Sequence, residues 1–245
     1  MKTNIQSHKQ NNPNNGSMWP EHAAARGTHD TVMQVLKHHV PDLKGKQVCD
    51  LPCGAGLFSK RLADEQATLF SLDIEEVTPY IGPIDRRILA DANLPLPLEP
   101  KSIDVAISIE GVEHLENPSF FLRELNSLIK DDGIIIMTTP NVDSFRSRIT
   151  TIWKGHPKYF NPVDLYSKAD GHLHPVDMVF VFGAAARAGL EVIDVQTVKH
   201  PRDTGLALAM QELIRPFATR RLPEKMRSEV PFYGDVIIYV MQKAD

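Results

Sequence analysis

Residues Val48–Ala63 read VCDLPCGAGLFSKRLA: an apolar strand ending on an acid, a glycine turn and the start of a helix, with no spare residue between them. Few folds accept that order. Gln47–Leu51 is expected as a strand and Leu57–Asp64 as a helix. Pro52 keeps Leu51 out of the helical basin, and Gly54 and Gly56 let the backbone turn close to a ligand. The result is a polar ligand site at a helix N-terminus. A nucleoside-triphosphate loop needs a Gly-Lys-Ser/Thr ending, which is absent. A dinucleotide turn fits in part, because Asp73 follows at a distance suited to a ribose hydroxyl. It fails where LFS follows Gly56 in place of a third glycine, and where Asp50 would repel a pyrophosphate. A ligand with a sulfonium and an ammonium group and no phosphate meets both conditions.

The rest of the chain repeats strand, turn and helix. Strands are expected at Ala67–Leu72, Arg87–Ala90, Ile103–Ile109 and Gly133–Thr138, and helices at Ala23–His38, Pro118–Ile129 and Val176–Ala188, the last with Gly189 as its C-cap. Glu191–Thr197 and Asp235–Met241 close the pattern, and Leu206–Arg215 can form a helix between them. Strands as apolar as IDVAISI and GIIIMT are expected where helices cover both faces of a sheet. The fold class is therefore α/β: a Rossmann-like, mostly parallel seven-stranded sheet with helices on both faces and ligands at the strands' carboxyl ends. Residues 1–18, rich in Asn, read as a flexible tail, residues 19–245 as the folded domain, and residues 141–175 as a cap inserted on the acceptor side. Pro79, Gly82 and Pro83 shorten the crossover between the second and third strands.

A chain of 245 residues with 42% hydrophobic content can bury a full core. Its net charge of -4 offers no long-range field for a nucleic-acid backbone, so small-molecule acceptors are favoured over nucleic acid. Cys49 and Cys53 make neither a disulfide framework nor a zinc site and read as reduced thiols. No apolar stretch approaches a spanning helix or a secretory leader, so a cytoplasmic protein with no transmembrane segment is expected. A homodimer is compatible with the sequence.

With VCDLPCGAG, SLDI, LADA and IEGVEHLENP in this order, the chain resembles a class I S-adenosylmethionine-dependent methyltransferase, of the branch that includes small-molecule and ubiquinone-type O-methyltransferases. The resemblance covers roughly residues 46–196. It implies S-adenosyl-L-methionine as cofactor and a donor loop that includes Asp50, Pro52, Cys53, Gly54 and Gly56. It also implies Asp73 on the ribose hydroxyls, with Ile74 packing on adenine, Asp91 and Ala92 beside adenine, and Glu110 in the segment bordering donor and acceptor. Pro52 departs from the glycine usual at its position and removes an amide donor.

The candidate catalytic residues are His114, in the loop after IDVAISI, and His172, in SKADGHLHPVDM. A neutral imidazole at His114 can orient an acceptor hydroxyl or take its proton. His172 and His174 alternate on an extended segment, with Pro175 expected to start the next helix. A metal there would need a third ligand such as His156 or Asp170, so no metal is expected. The aromatics Phe145, Trp153, Tyr159, Phe160 and Tyr166 of the insert are expected to fill a cap or bury an acceptor. Arg146, Arg148, Lys154 and Lys158 are expected to favour a phosphorylated, carboxylated or glycan-linked one. The expected reaction is methyl transfer to oxygen of a small metabolite or saccharide-linked compound. Two rivals remain open: a nicotinamide-dependent oxidoreductase, which would bind dinucleotide, and a methyltransferase-like partner-binding subunit, which would turn over no acceptor. The basic stretch 199–229 reads as a solvated helix face.

Overall fold

The computed structural model describes residues 24–76, 79–167, 171–198, 205–220 and 232–244, with 223, 224 and 227 between the last two. The expected tail at 1–18 lies outside the described residues, as does most of 220–231. The elements run α1 Thr28–His39, β1 Gln47–Asp50, α2 Leu57–Asp64, β2 Thr68–Asp73, β3 Arg87–Leu89, β4 Ile103–Ser108, α3 Pro118–Leu128, β5 Ile129–Pro140, α4 Phe145–Lys154, α5 Pro162–Ser167, α6 Met178–Arg187, β6 Leu190–Val198, α7 Gly205–Thr219 and β7 Val236–Lys243. They form one seven-stranded sheet of order β3-β2-β1-β4-β5-β7-β6. Neighbours are parallel from β3 to β5, and β7 runs antiparallel to both β5 and β6.

The period of two in the strands divides the interior into two cores. Ile134 and Ile136 of β5 and Val236, Ile238 and Val240 of β7 face the side covered by Val32, Val35 and Leu36 of α1 and Phe58 and Leu62 of α2. Ile135, Met137, Ile237, Tyr239 and Met241 face the other side, under Phe121, Leu122 and Leu125 of α3 and Val181, Ala184 and Ala185 of α6. Both faces are therefore dry, as the unbroken apolar strands implied. Each such aliphatic side chain contributes about 1.5–3 kcal/mol by leaving water.

Four elements differ from expectation, each for a local reason. The helix expected from Ala23 starts at Thr28, because Gly27 at φ 87 ends the preceding turn. β5 begins at Ile129, straight out of α3, since Ile129 pairs with Ile103 before the register shifts at Val105. Pro175 does not open α6; Asp177 does, its side chain accepting the Phe180 amide. Helix α7 continues to Thr219 through Pro216. Among the described residues no helix joins β2 to β3, where Pro79, Gly82 and Pro83 allowed at most a brief one, and no helix is long and apolar enough to cross a membrane.

Candidate active site

From β1 the chain crosses to β2 and β3 on one side, then returns to β4 on the other. This reversal opens a crevice beyond the carboxyl ends of β1 and β4, the position where open α/β sheets bind ligands. A cleft of about 520 Å³ fills it. That volume lies within the range of small-molecule sites, roughly 300–1,000 Å³.

Asp50 ends β1 in the cleft wall, almost without exposure, and accepts the Ser59 hydroxyl at 2.5 Å. Burial, and then the nearby Asp73 charge, push its carboxyl up to about 7. Pro52, after a cis peptide bond, and Cys53 and Gly54 continue the wall. Both cysteines are free and buried; burial, with Asp50 and Asp73 adding to it, pushes the Cys53 thiol up to about 12, so it stands neutral. Gly111, on the opposite wall, lies so close that a Cβ there would come 2.3 Å from Pro52 Cδ. Gly56 is not a wall residue. It caps α2 in a left-handed conformation at φ 80, underneath Tyr80 and Gly82.

Asp73 ends β2 and holds the turn after β1: Gly54 N–H donates to Oδ2 at 2.7 Å and Glu75 N–H to Oδ1 at 3.1 Å. Ile74 beside it is exposed at the cleft rim. After β3, Asp91 Oδ1 accepts the Asn93 backbone and side-chain amides at 2.8 and 3.0 Å, and Ala92 lies alongside in the wall. Glu110 follows β4 in a left-handed conformation at φ 49, its amide donating to Thr138 Oγ1. Its carboxylate reaches across to accept the Ala25 amide at 3.3 Å on both oxygens, and burial raises its pKa. Ala24 and His29 also line the cleft. Sequence reading missed them, because only the packing of α1 over the sheet brings them there and no motif marks them.

His114 lies in the cleft wall, at the end of the short turn Val112–His114. His172 is not in the wall; its ring meets that of His114 edge-on, with centroids 4.7 Å apart, and Phe160 packs against it at 5.1 Å. The third group beside them is Glu113, buried completely, its carboxyl pushed up to about 8 by desolvation. Neither alternative third ligand joins the cluster: His156 contacts the Pro157 carbonyl, and Asp170 lies outside the described residues.

The insert differs from expectation in its charges and in two aromatic residues, Trp153 and the partly exposed Tyr159. Phe160 is buried and Phe145 packs on the core, but Trp153 is 82% exposed, because it stands on the outer face of α4. Nothing is described of the Tyr166 side chain. Lys158 and the Tyr159 hydroxyl bind Asp235 at 2.9 and 2.8 Å, Arg146 stands 3.9 Å from it, and Arg148 pairs with Asp143. Lys158 and Arg146 therefore meet the sheet end at Asp235, Arg148 pairs within the insert, and Lys154 is exposed on α4.

Residues 22–195 match the family model described as a methyltransferase domain. The chain is 27% identical over 186 residues to a probable S-adenosylmethionine-dependent methyltransferase of Mycolicibacterium smegmatis, covering 71% of each protein. It is 33% identical over 116 residues to the ubiquinone biosynthesis O-methyltransferase of Rickettsia typhi, covering 45% of this chain and 47% of that one, so it matches under half of that enzyme's length. A solved S-adenosylmethionine-dependent methyltransferase of Archaeoglobus fulgidus shares the fold, with a TM-score of 0.58 at 21% identity over 89% of this chain and 96% of that one. With most of its length inside that domain model and its cleft at the sheet's switch point, the chain belongs to the class I S-adenosylmethionine-dependent methyltransferases, related to the small-molecule and ubiquinone-type O-methyltransferases.

Proposed function

We propose that the cleft binds S-adenosylmethionine and that the protein methylates an oxygen of a small metabolite or saccharide-linked acceptor, residues 19–245 forming one catalytic domain with 141–175 as its acceptor-side cap. One observation carries the donor assignment. Asp50, Asp73, Glu75, Asp91 and Glu110 line the cleft, and no lysine or arginine does among the described residues. A pyrophosphate or triphosphate would face only like charge there, whereas a cationic ligand is complementary. S-adenosylmethionine supplies a methyl group on a sulfonium, transferable in line to a nucleophile.

Asp50, with the turn at Pro52, Cys53 and Gly54, receives the ammonium end. Gly56 shapes that turn from behind. Asp73 takes the ribose hydroxyls, Ile74 packs on the adenine face, Asp91 and the Ala92 amide read its edge, and Glu110 ties the segment before α1 to the cleft. His114 and His172 act on the acceptor's nucleophilic atom. Holding acceptor and donor in line supplies much of the rate enhancement.

Calorimetric titration with S-adenosylmethionine, NADH and ATP, followed by transfer of a labelled methyl group to acceptor pools, tests the reading. Binding of the sulfonium donor alone, with label in a small-molecule product, is the expected result. Saturable NADH binding supports the oxidoreductase instead, and donor binding without transfer to any pool supports a partner-binding subunit.

Asp50 gives a pH dependence. Its carboxyl sits near pKa 7 without ligand, and a cationic partner requires it ionised, so donor binding releases a proton and strengthens as pH rises. Affinity at pH 6 is expected to be about tenfold below that at pH 8, from the ionised fraction alone. The slope disappears in Asp50→Asn; an equal slope in both proteins removes Asp50 from the ammonium site. His114→Ala is expected to lower kcat by about a hundredfold while donor affinity changes less than about threefold, the range of a lost acid–base or orienting group. Unchanged kcat in that variant would confine His114 to a structural role.

A further inference from the structure

We infer that Glu113, His114 and His172 form a binding site for a divalent transition cation of the zinc class, at the acceptor end of the cleft. A carboxylate oxygen of Glu113 and one nitrogen from each ring all lie within 4.8 Å of one another. Two imidazoles and one carboxylate are the three-ligand set of a zinc ion that keeps its fourth position open. Two ligands of one tetrahedral zinc stand about 3.4 Å apart, so the widest pair here closes by roughly 1.4 Å as the side chains turn onto the ion.

A second observation is independent of that convergence. Glu113 is fully buried, and neither of its carboxylate oxygens has a hydrogen-bond partner. The buried Thr139 hydroxyl is likewise without a hydrogen-bond partner. A carboxyl group withdrawn from water without a partner is destabilising. A divalent ion would provide the missing partner.

The backbone keeps the three together. The amides of Leu173 and His174 donate to the Glu113 carbonyl at 2.8 and 3.0 Å, which fastens the segment carrying His172 to the turn carrying the other two ligands. His114 is also a wall residue of the cleft, so an ion on this set is within reach of an acceptor there. The ion's role rests on the methyl-transfer reading. The acceptor hydroxyl takes the open position and its proton leaves to water. The oxygen then bonds to the methyl carbon as the carbon–sulfur bond breaks, its electron pair staying on sulfur. The two imidazoles act on the acceptor through the ion.

The test uses the full chain, stripped with a chelator and titrated with Co²⁺ and Zn²⁺. One equivalent of either is expected, with a visible Co²⁺ absorption that Zn²⁺ abolishes. Glu113→Gln and His172→Ala are each expected to weaken Co²⁺ binding at least about tenfold, since each removes one of three ligands. His156→Ala, outside the cluster, leaves binding unchanged. Absence of saturable binding, or equal affinity in native protein and Glu113→Gln, overturns the site. The nearly isosteric Glu113→Gln decides the matter if His172→Ala fails to fold, as judged by its thermal melt. S-adenosylmethionine titrated into the same samples separates the two proposals. Donor binding with no metal removes the ion alone, and metal binding with no donor binding removes the methyl-transfer reading alone.

Discussion

Asp73→Ala is expected to weaken S-adenosylmethionine binding by roughly a hundredfold or more. A hydrogen bond to an ionised group is worth about 1.5–3 kcal/mol, and losing two from a ribose costs about 3 kcal/mol, a factor of about 100 in Kd. The carboxylate has a second task, because it already accepts the Gly54 and Glu75 amides at 2.7 and 3.1 Å. An ionised carboxylate offers about four acceptor positions, so two remain for ligand. Alanine would therefore remove the proposed ribose contacts and also release the Gly54 turn that lines the cleft. Amide exchange at Gly54 should rise in the ligand-free variant. Asp73→Asn, which keeps one acceptor oxygen, is expected to fall between the two. A calorimetric Kd for Asp73→Ala within about threefold of native would overturn the ribose assignment, given bonds of this strength.

What was legible in the sequence follows from how local each signal is. The strands of the parallel region stand out because both faces are buried, which leaves apolar runs such as IDVAIS at Ile103–Ser108. The wall carboxylates Asp50, Asp73 and Asp91 were legible because each directly follows or ends a strand, and strand ends are where this architecture places ligands. The convergence of Glu113 with the two histidines is not legible, because only the return of residues 172–174 onto the Glu113 carbonyl brings the three groups together. Two cations of the insert are hidden for a related reason. Lys158 and Arg146 meet Asp235, which lies 77 residues from Lys158, and no local pattern reports that pairing. Trp153 looked like cap material by residue type, but its position on α4 turns it to solvent.

Gly56→Ala is expected to lower the melting temperature by roughly 5–15 °C, from a destabilisation of about 2–4 kcal/mol in a chain of this size. Two costs add. The backbone there is left-handed, at φ 80, which costs a residue with a Cβ about 1 kcal/mol. The new Cβ would also stand 2.5 Å from Tyr80 Cε2 and 2.6 Å from the Gly82 nitrogen. A ring can turn aside, but the Gly82 backbone cannot, because the neighbouring Ile81 amide is tied to the Ala55 carbonyl at 2.9 Å. Relief must come from the turn itself, which lines the cleft, so on the proposed donor assignment S-adenosylmethionine affinity is expected to fall at least about tenfold, the loss of one good polar contact. Gly54→Ala isolates the first cost: its φ is 51, but an added Cβ meets nothing within 4 Å. Its melting temperature should fall by only about 2–4 °C, the effect of 1 kcal/mol. Equal melting of the two variants in a thermal scan would show that the contact with residues 80–82 does not hold the turn in shape.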